Sequence, residues 1–161
     1  MAPHPRIRPI EPGDTTAQFD CGQPDLNSYL SRRAWHNHTH GVSRCYVAAS
    51  ADQVVSFYAL AAGDVARRGL PGSMRLNMPE AIPAIVLTRL AIDLAWQGRG
   101  LGSGLLKDAL VRAEAASGVI AARVLVVHAI DATARDFYRH FDFQPFGDDA
   151  LHLFTPLHPD S

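Results

Sequence analysis

Residues 89–106 read Arg-Leu-Ala-Ile-Asp-Leu-Ala-Trp-Gln-Gly-Arg-Gly-Leu-Gly-Ser-Gly-Leu-Leu. The aliphatic run predicts a strand, which leads into a glycine-rich turn and then into a helix that starts at about Gly100. Glycines at 98, 100, 102 and 104 leave no Cβ to keep the backbone away from a ligand. Because a helix start presents free N–H groups and the positive end of its dipole, this turn favours an anion.

Two common phosphate-binding loops do not fit this turn. A dinucleotide fingerprint requires G-x-G-x-x-G, but counted from Gly98 its last position falls on Ser103. A Walker loop counted from Gly102 has Lys107 in place of its last glycine. The residues of Gln97-x-x-Gly100-x-Gly102 alone leave two interpretations open, a pyrophosphate-binding turn and a simple connector between a strand and a helix.

The composition predicts one globular domain, residues 1–161, because 161 residues with 47% hydrophobic and 19% charged side chains build a core without disulfides or structural metals. Cys21 and Cys45 have no metal-ligand spacing, and the three histidines of residues 36–40 lack a further ligand, so we predict no metal site. Residues 1–12 lack the apolar h-region of a signal peptide, and no apolar run approaches the length of a membrane span. We therefore expect a cytoplasmic protein with reduced thiols and no membrane partner.

The net charge of −1 does not by itself indicate a nucleic-acid partner, but the charges are unevenly distributed. Residues 1–75 carry 8 Arg against 6 acidic residues, and residues 76–161 carry 7 basic against 10 acidic residues. Arginine suits bidentate phosphate contacts, and a GC-rich coding sequence produces the same bias towards arginine without any function. Both explanations are open from composition alone.

Hydrophobic periodicity predicts an α/β protein with a mixed sheet. The predicted order is β, α, β, β, (α), β, α, β, α, β, with the first strand in the proline-rich opening segment. The main helices are predicted at residues 26–38, 100–117 and 131–141, and short helices are predicted near Val65 and Arg75. The later strands are predicted at residues 43–49, 54–60, 85–93, 124–128 and 151–157, with a hairpin turn at 51–53. Strand 124–128 should lie parallel to strand 85–93 through a right-handed crossover.

Three blocks together resemble the GNAT superfamily of N-acetyltransferases. They are the strand and turn at residues 89–104, the helix start Asp131-x-x-Ala134-x-x-Phe137-Tyr138, and Phe141-Asp142-Phe143. The resemblance covers nearly the whole chain and implies a mixed central sheet flanked by helices, with acyl-CoA bound where two parallel strands splay apart. The family usually has Phe-Gly-Phe in the third block, and Asp142 tolerates the left-handed conformation of that glycine at modest cost.

A fourth block resembles the TacT-like toxins, a branch of the GNAT superfamily. It consists of Phe19-Asp20-Cys21-Gly22, Leu26-Asn27-Ser28-Tyr29-Leu30 and Ser43-Arg44-Cys45-Tyr46-Val47. Such toxins pair with ribbon-helix-helix antitoxins and acetylate the α-amino group of aminoacyl-tRNA. The resemblance implies that this chain is a toxin N-acetyltransferase that blocks translation. It also implies an aminoacyl-tRNA substrate, a ribbon-helix-helix antitoxin and a homodimer.

The resemblance also implies which residues bind acetyl-CoA. The backbone of Leu90, Ala91 and Ile92 is expected to pair with the pantetheine arm like an added strand. The pyrophosphate is expected among Gln97, Gly98, Arg99, Gly100, Gly102 and Ser103. Asp131 stands where many relatives have Asn, and both a cofactor contact and a simple helix N-cap are open interpretations.

Tyr138 is the predicted catalytic residue, a general acid that reprotonates the coenzyme A sulfur. A packed aromatic beside Phe137 is the plainer interpretation of this residue, and the motif favours catalysis over it. No Glu or Asp stands out as a base. This suits an α-amino acceptor, whose pKa near ~8 lies well below the ~10.4 of a lysine.

Basic residues of the first half of the chain are predicted to hold tRNA phosphates: Arg32, Arg33, His36, Arg67, Arg68 and Arg75. Each is also an ordinary solvated charge if no nucleic acid binds. Two other functions are open, a GNAT enzyme acting on a metabolite amine or a protein N-terminus, and an inactive acyl-CoA-binding module. The TacT-like block favours the toxin over a GNAT enzyme with another acceptor. The presence of Tyr138 and of the glycine turn argues against an inactive module.

Overall fold

Strands and helices alternate along the computed structural model, which describes residues 5–158. The strands are β1 (Ile7–Pro9), β2 (Arg44–Ser50), β3 (Gln53–Ala66), β4 (Ala81–Ile92), β5 (Val124–His128), β6 (Gln144–Phe146) and β7 (Asp149–Pro156). The helices are α1 (Pro24–Arg32), α2 (Ala34–Thr39), α3 (Gly72–Arg75), α4 (Leu101–Ser117) and α5 (Ala132–His140). The strand order is β1-β2-β3-β4-β5-β7-β6, with parallel and antiparallel pairs, which confirms the predicted mixed sheet.

The chain divides into two compact units that interleave in sequence. The first comprises Met1–Ala61 and Thr88–Ala109, and the second comprises Ala62–Leu87 and Leu110–Ser161. Three elements, β3, β4 and α4, contribute residues to both units.

In the first unit, β1, β2 and the start of β3 form an antiparallel meander. The predicted hairpin is confirmed, because Ser50 pairs with Gln53 and the two residues between them have φ of 50° and 66°. Tyr29 of α1 is buried and stacks on Phe57 of β3 with 6.1 Å between ring centroids. The helix predicted at 26–38 is in fact two helices, because Arg33 leaves the helical region with φ −121°.

In the second unit, β5 lies parallel to β4 and antiparallel to β7, as the crossover predicted for β5 requires. The short helix predicted near Val65 begins two residues later, as a single 3₁₀ turn at Arg67–Gly69. Val65 belongs to β3 and is buried with Ile82 and Phe154, because a β-branched side chain on an inward strand position fills the core. The short helix at Arg75 is confirmed as α3. Strand β6 was not predicted, because a three-residue segment that contains Pro145 is too short to show the alternating pattern of a strand.

Within residues 5–158, no helix has both the length and the apolar character needed to cross a bilayer.

Candidate functional site

Asp93 organises the turn that follows β4 in the first unit. Its Oδ1 accepts a hydrogen bond from Ala95 N at 2.9 Å and caps the 3₁₀ turn Leu94–Trp96. Its Oδ2 accepts from Asp20 N at 3.1 Å, which fixes the Phe19-Asp20-Cys21-Gly22 block to the end of β4. Asp93 was not among the site residues predicted from the sequence. An Asp directly after a strand, two residues before an unpaired N–H, is an N-cap pattern that indicates the role.

The side chain of Gln97 also stabilises this turn. Its Nε2 donates to Ile92 O at 2.9 Å and to Cys21 O at 3.4 Å. The side-chain amide nitrogen therefore ties the turn to β4 and to the loop before α1. This arrangement sets the course of the backbone, which then passes through Gly98 and Gly100 with φ of +78° and +81°. Both values lie in the left-handed region, where glycine avoids the penalty of a Cβ.

The start of α4 presents backbone donors. Gly104 N donates to Gly100 O at 3.3 Å, which is the first bond of the helical pattern. The N–H groups of Leu101, Gly102 and Ser103 come before it and have no acceptor within the helix. Three such donors at the positive end of a 17-residue helix fit an anion of the size of a pyrophosphate.

Arg99 adds a cation beside these donors. Its guanidinium carbon lies 4.8 Å from the centre of the Trp96 ring. Trp96 in turn packs against the cluster of Ala48, Val55 and Leu101. Because the ring contacts the face of the guanidinium, the N–H groups on its edge stay available to a ligand.

The last part of β4 extends beyond its pairing with β5. The parallel register runs from Ala84↔Val124 to Leu87↔Val127, and β4 continues to Ile92. Residues 90–92, predicted to pair with the pantetheine arm, follow the last paired residue. This register agrees with two parallel strands that part at the predicted position.

Tyr138 lies on α5 in the second unit and is 7% exposed. Its ring makes edge-to-face contacts with Phe137 and Phe143, with centroid distances of 5.2 Å and 5.6 Å. Burial raises the pKa of the Tyr138 hydroxyl above its ordinary value. The phenol therefore stays protonated at neutral pH, which a proton donor requires.

Asp131 and Asp142 define the two ends of α5. Asp131 Oδ1 accepts from Ala134 N at 2.8 Å, so its N-cap role is confirmed and a cofactor contact stays a prediction. Asp142 has φ 69°, which confirms the left-handed conformation predicted for it. The Asp142 N–H donates to Arg139 O at 3.1 Å, and the Phe143 N–H donates to Tyr138 O at 3.2 Å. These two bonds form a Schellman motif with Asp142 in the position that glycine usually occupies.

The basic residues predicted to contact tRNA fall into two groups. Arg32, Arg33 and His36 are exposed at the end of α1 and in α2, in the first unit, and Arg67, Arg68 and Arg75 lie in the second. Arg67 Nη1 donates to Met78 O at 2.7 Å, so part of its guanidinium is engaged within the protein.

A cavity of about 340 Å³ in the second unit is lined by Asp64, Arg67, Arg68 and Glu80, together with two alanines. Its lining thus combines two cations with two carboxylates. In the part of the chain that the structure describes, no three His, Cys, Asp or Glu side chains are grouped as a metal site.

Comparison with known proteins identifies the family. Residues 41–145 match the family described as "Acetyltransferase (GNAT) domain". The chain belongs to the GNAT acetyltransferase family. Within that family it is 47% identical over 153 residues to a tRNA-acetylating toxin of Mycobacterium tuberculosis strain H37Rv, covering 95% of this chain and 92% of the relative.

Two solved structures similar to this chain agree with this assignment. AtaT complexed with acetyl-methionyl-tRNAfMet superposes with a TM-score of 0.87 at 30% identity, covering 94% of each chain. A mutant AtaT toxin bound to acetyl-CoA and to the C-terminus of the antitoxin AtaR has a TM-score of 0.77 at 28% identity, covering 94% of this chain and 92% of that one. The predicted GNAT fold, a mixed sheet flanked by helices, is therefore confirmed.

Proposed function

We propose that this GNAT acetyltransferase is a toxin that transfers the acetyl group of acetyl-CoA to the α-amino group of aminoacyl-tRNA and thereby blocks translation. The observation that carries the proposal is the 47% identity, over 95% of the chain, to a protein named as a tRNA-acetylating toxin. The AtaT structures with acetyl-methionyl-tRNAfMet and with acetyl-CoA support the same reaction. This identity favours aminoacyl-tRNA over the alternative acceptors, a metabolite amine or a protein N-terminus.

The first unit is proposed to bind acetyl-CoA, which supplies the acetyl thioester. Its pyrophosphate is bound by the backbone amides of Leu101, Gly102 and Ser103, because these donors have no acceptor within the helix. The guanidinium of Arg99, held on the Trp96 ring, binds the same group. Gly98 and Gly100 shape this turn and Gln97 fixes it to β4. The backbone of Leu90, Ala91 and Ile92 binds the pantetheine arm, and an amide near Ile92 polarises the thioester carbonyl.

Tyr138 is proposed as the general acid. A neutral α-amine attacks the thioester carbon, a carbon–nitrogen bond forms, and the carbon–sulfur bond breaks. Tyr138 holds a proton on Oη and donates it to the departing sulfur. Solvent takes the proton that the amine releases and returns a proton to the Tyr138 oxygen. A phenol is protonated at neutral pH, so this proton is available when the sulfur leaves.

The proposed partners follow from the same assignment. Arg32, Arg33, His36, Arg67, Arg68 and Arg75 contact tRNA phosphates, and a ribbon-helix-helix antitoxin neutralises the toxin. We further propose a single GNAT domain that acts as a homodimer in the cytoplasm, where charged tRNA is found. Sedimentation of the purified chain, alone and with its antitoxin, tests the assembly.

The function is tested by incubating the protein with labelled acetyl-CoA and a total pool of charged tRNA. Lysine-containing peptides and polyamines are run beside it, and the same tRNA pool stripped of its amino acids is the matched control. We expect label in charged tRNA and none in stripped tRNA. Labelled peptides or polyamines with an unlabelled tRNA pool would replace the toxin function with the alternative acetyltransferase.

A further inference from the structure

Arg89 of β4 is a half-buried cation that pairs with no carboxylate in the part of the chain that the structure describes. Its guanidinium carbon lies 3.8 Å from the centre of the Tyr29 ring. Among residues 5–158, that ring contact is the one polar or aromatic interaction that the Arg89 side chain makes. Because a partly buried guanidinium with no acceptor is costly, we expect water or a ligand at its N–H groups.

Tyr29 holds this guanidinium in a fixed place. The tyrosine is 6% exposed, stacks on Phe57, and exchanges a hydrogen bond between its Oη and Ser43 Oγ at 2.9 Å. The ring covers the face of the guanidinium and leaves its edge free, which is the edge that binds phosphate in a bidentate manner. Arg89 is thus preorganised to bind an oxyanion.

The face of β4 on which Arg89 lies indicates the source of that oxyanion. Ala91, two residues further on, packs with Tyr29 and Leu30 of α1, whereas Ile92 packs with the cluster of Leu101 at the start of α4. Alternate residues of a strand point to opposite faces, so Arg89 shares the α1 face. The proposed pyrophosphate-binding turn leads into α4, which packs on the other face. The oxyanion at Arg89 therefore belongs to the second substrate.

Two further features favour a phosphate near the reacting end of an RNA. Arg89 directly precedes residues 90–92, which are proposed to hold the acetyl-bearing arm, so its ligand lies close to the acceptor amine. On the same face, Arg32 is in the last turn of α1 and Arg33 follows it, and both are exposed. An RNA that reaches Arg89 thus meets further cations along α1.

We propose that Arg89, stacked on Tyr29, binds a phosphate of the single-stranded acceptor end of the tRNA. The proposal rests on the proposed function and adds a residue that fixes the position of the substrate. A phosphate contact also contributes to the dependence of binding on salt, whereas a structural role for Arg89 does not.

The test compares Arg89→Gln with the wild type in three measurements. The first is the Kd for a charged-tRNA pool by fluorescence anisotropy between roughly 50 and 200 mM salt, the range in which phosphate contacts are lost. The second is the Kd for acetyl-CoA by calorimetry, and the third is thermal unfolding. We expect the tRNA Kd to rise about tenfold or more. We also expect the slope of log Kd against log salt to decrease by about 0.7, the value for one phosphate of a single strand, with acetyl-CoA affinity unchanged. The control is Arg135→Gln, which removes the same charge from an arginine paired with Asp136 at 3.2 Å.

An unchanged tRNA Kd, an unchanged salt slope, or a loss of acetyl-CoA affinity in place of tRNA affinity would each overturn the proposal. If Arg89→Gln does not fold, Arg89→Lys keeps the charge, and there we expect weaker tRNA binding with a retained salt slope. Because these measurements record binding, Arg89-dependent tRNA binding without any acetylation of charged tRNA would refute the proposed function and leave this inference standing.

Discussion

At the scale of single residues, Tyr138 makes the sharpest prediction. Tyr138→Phe keeps the ring contacts with Phe137 and Phe143 and removes only the hydroxyl. We expect kcat to fall by roughly 10²-fold or more with little change in acetyl-CoA affinity, because a general acid acts on the transition state. Expression of the variant should not be toxic.

Steady-state kinetics and calorimetry on the variant provide the measurement. Tyr46→Phe is the matched control, because it removes a phenol from β2, a strand with no proposed part in the proton transfer. A near-normal kcat for Tyr138→Phe would show that Tyr138 is a packing residue.

The pH dependence of the rate follows from the same burial. The pKa of the Tyr138 hydroxyl is raised above its ordinary value, so the protonated form persists to higher pH than in a free tyrosine. The acceptor amine loses its proton near ~8, so the rate should rise through that range and then stay level to about pH 9.5. A decline in kcat between pH 8 and 9.5, with the fold intact, contradicts this assignment.

Asp142 carries a conformational cost that glycine removes. At φ 69° an L-residue is strained, and the Schellman bonds of Asp142 and Phe143 use only backbone atoms, which glycine keeps. Asp142→Gly should raise the free energy of unfolding by about 0.5–1 kcal/mol, measured by urea denaturation. Asp136→Gly, within α5, should lower it by a similar amount. A destabilised Asp142→Gly protein indicates that the carboxylate makes a contact that outweighs the strain.

At the scale of elements, the start of α4 is the feature that binding of acetyl-CoA depends on. Gly102→Val places a branched side chain among three N–H groups that the helix leaves free, and acetyl-CoA binding should weaken by about 2 kcal/mol or more. Gly104→Val is the matched control, because the Gly104 N–H already donates to Gly100 O and a Cβ there meets no atom within 4 Å. Calorimetry measures the acetyl-CoA affinity of both folded variants. Wild-type affinity in Gly102→Val would show that the start of α4 does not bind the pyrophosphate.

Elements with a strong local pattern were predicted well from the sequence. β5 occupies residues 124–128 as predicted, because a continuous β-branched run has no competing interpretation once it is bounded by turn residues. The N-cap at Asp131 and the start of α4 follow from capping chemistry and glycine placement. The same local signals led to the prediction of the glycine turn in the candidate site.

Elements set by tertiary contacts were predicted less well. β3 runs through Gly63 to Ala66 because Val65 is buried in the core of the second unit, and periodicity alone does not show this burial. The stacking of Arg89 on Tyr29 likewise joins two residues that are distant in sequence. For that reason Arg89 was not among the candidate site residues, although the quoted stretch begins with it.

At the scale of the whole molecule, a net charge of −1 requires that tRNA be bound by local cations. Arg32→Glu combined with Arg33→Glu should raise the KM for charged tRNA strongly and leave acetyl-CoA affinity intact, because the two exposed side chains lie at the end of α1. Activity on tRNA should also fall steeply between ~50 and ~200 mM salt.

Arg6→Glu combined with Arg135→Glu makes the same change in net charge elsewhere and serves as the control. Equal increases in KM for the two double variants would indicate a general charge effect in place of a binding surface on α1.

The proposed reaction transfers acetyl to the α-amino group of the amino acid carried by tRNA, with Tyr138 as proton donor. Its most direct test is mass spectrometry of the amino acids released by mild base from charged tRNA after reaction with acetyl-CoA. We expect N-acetyl amino acids with the wild type, about 10²-fold less with Tyr138→Phe, and none from stripped tRNA. Released amino acids that stay unmodified with the wild type, or that are modified equally by Tyr138→Phe, would contradict it.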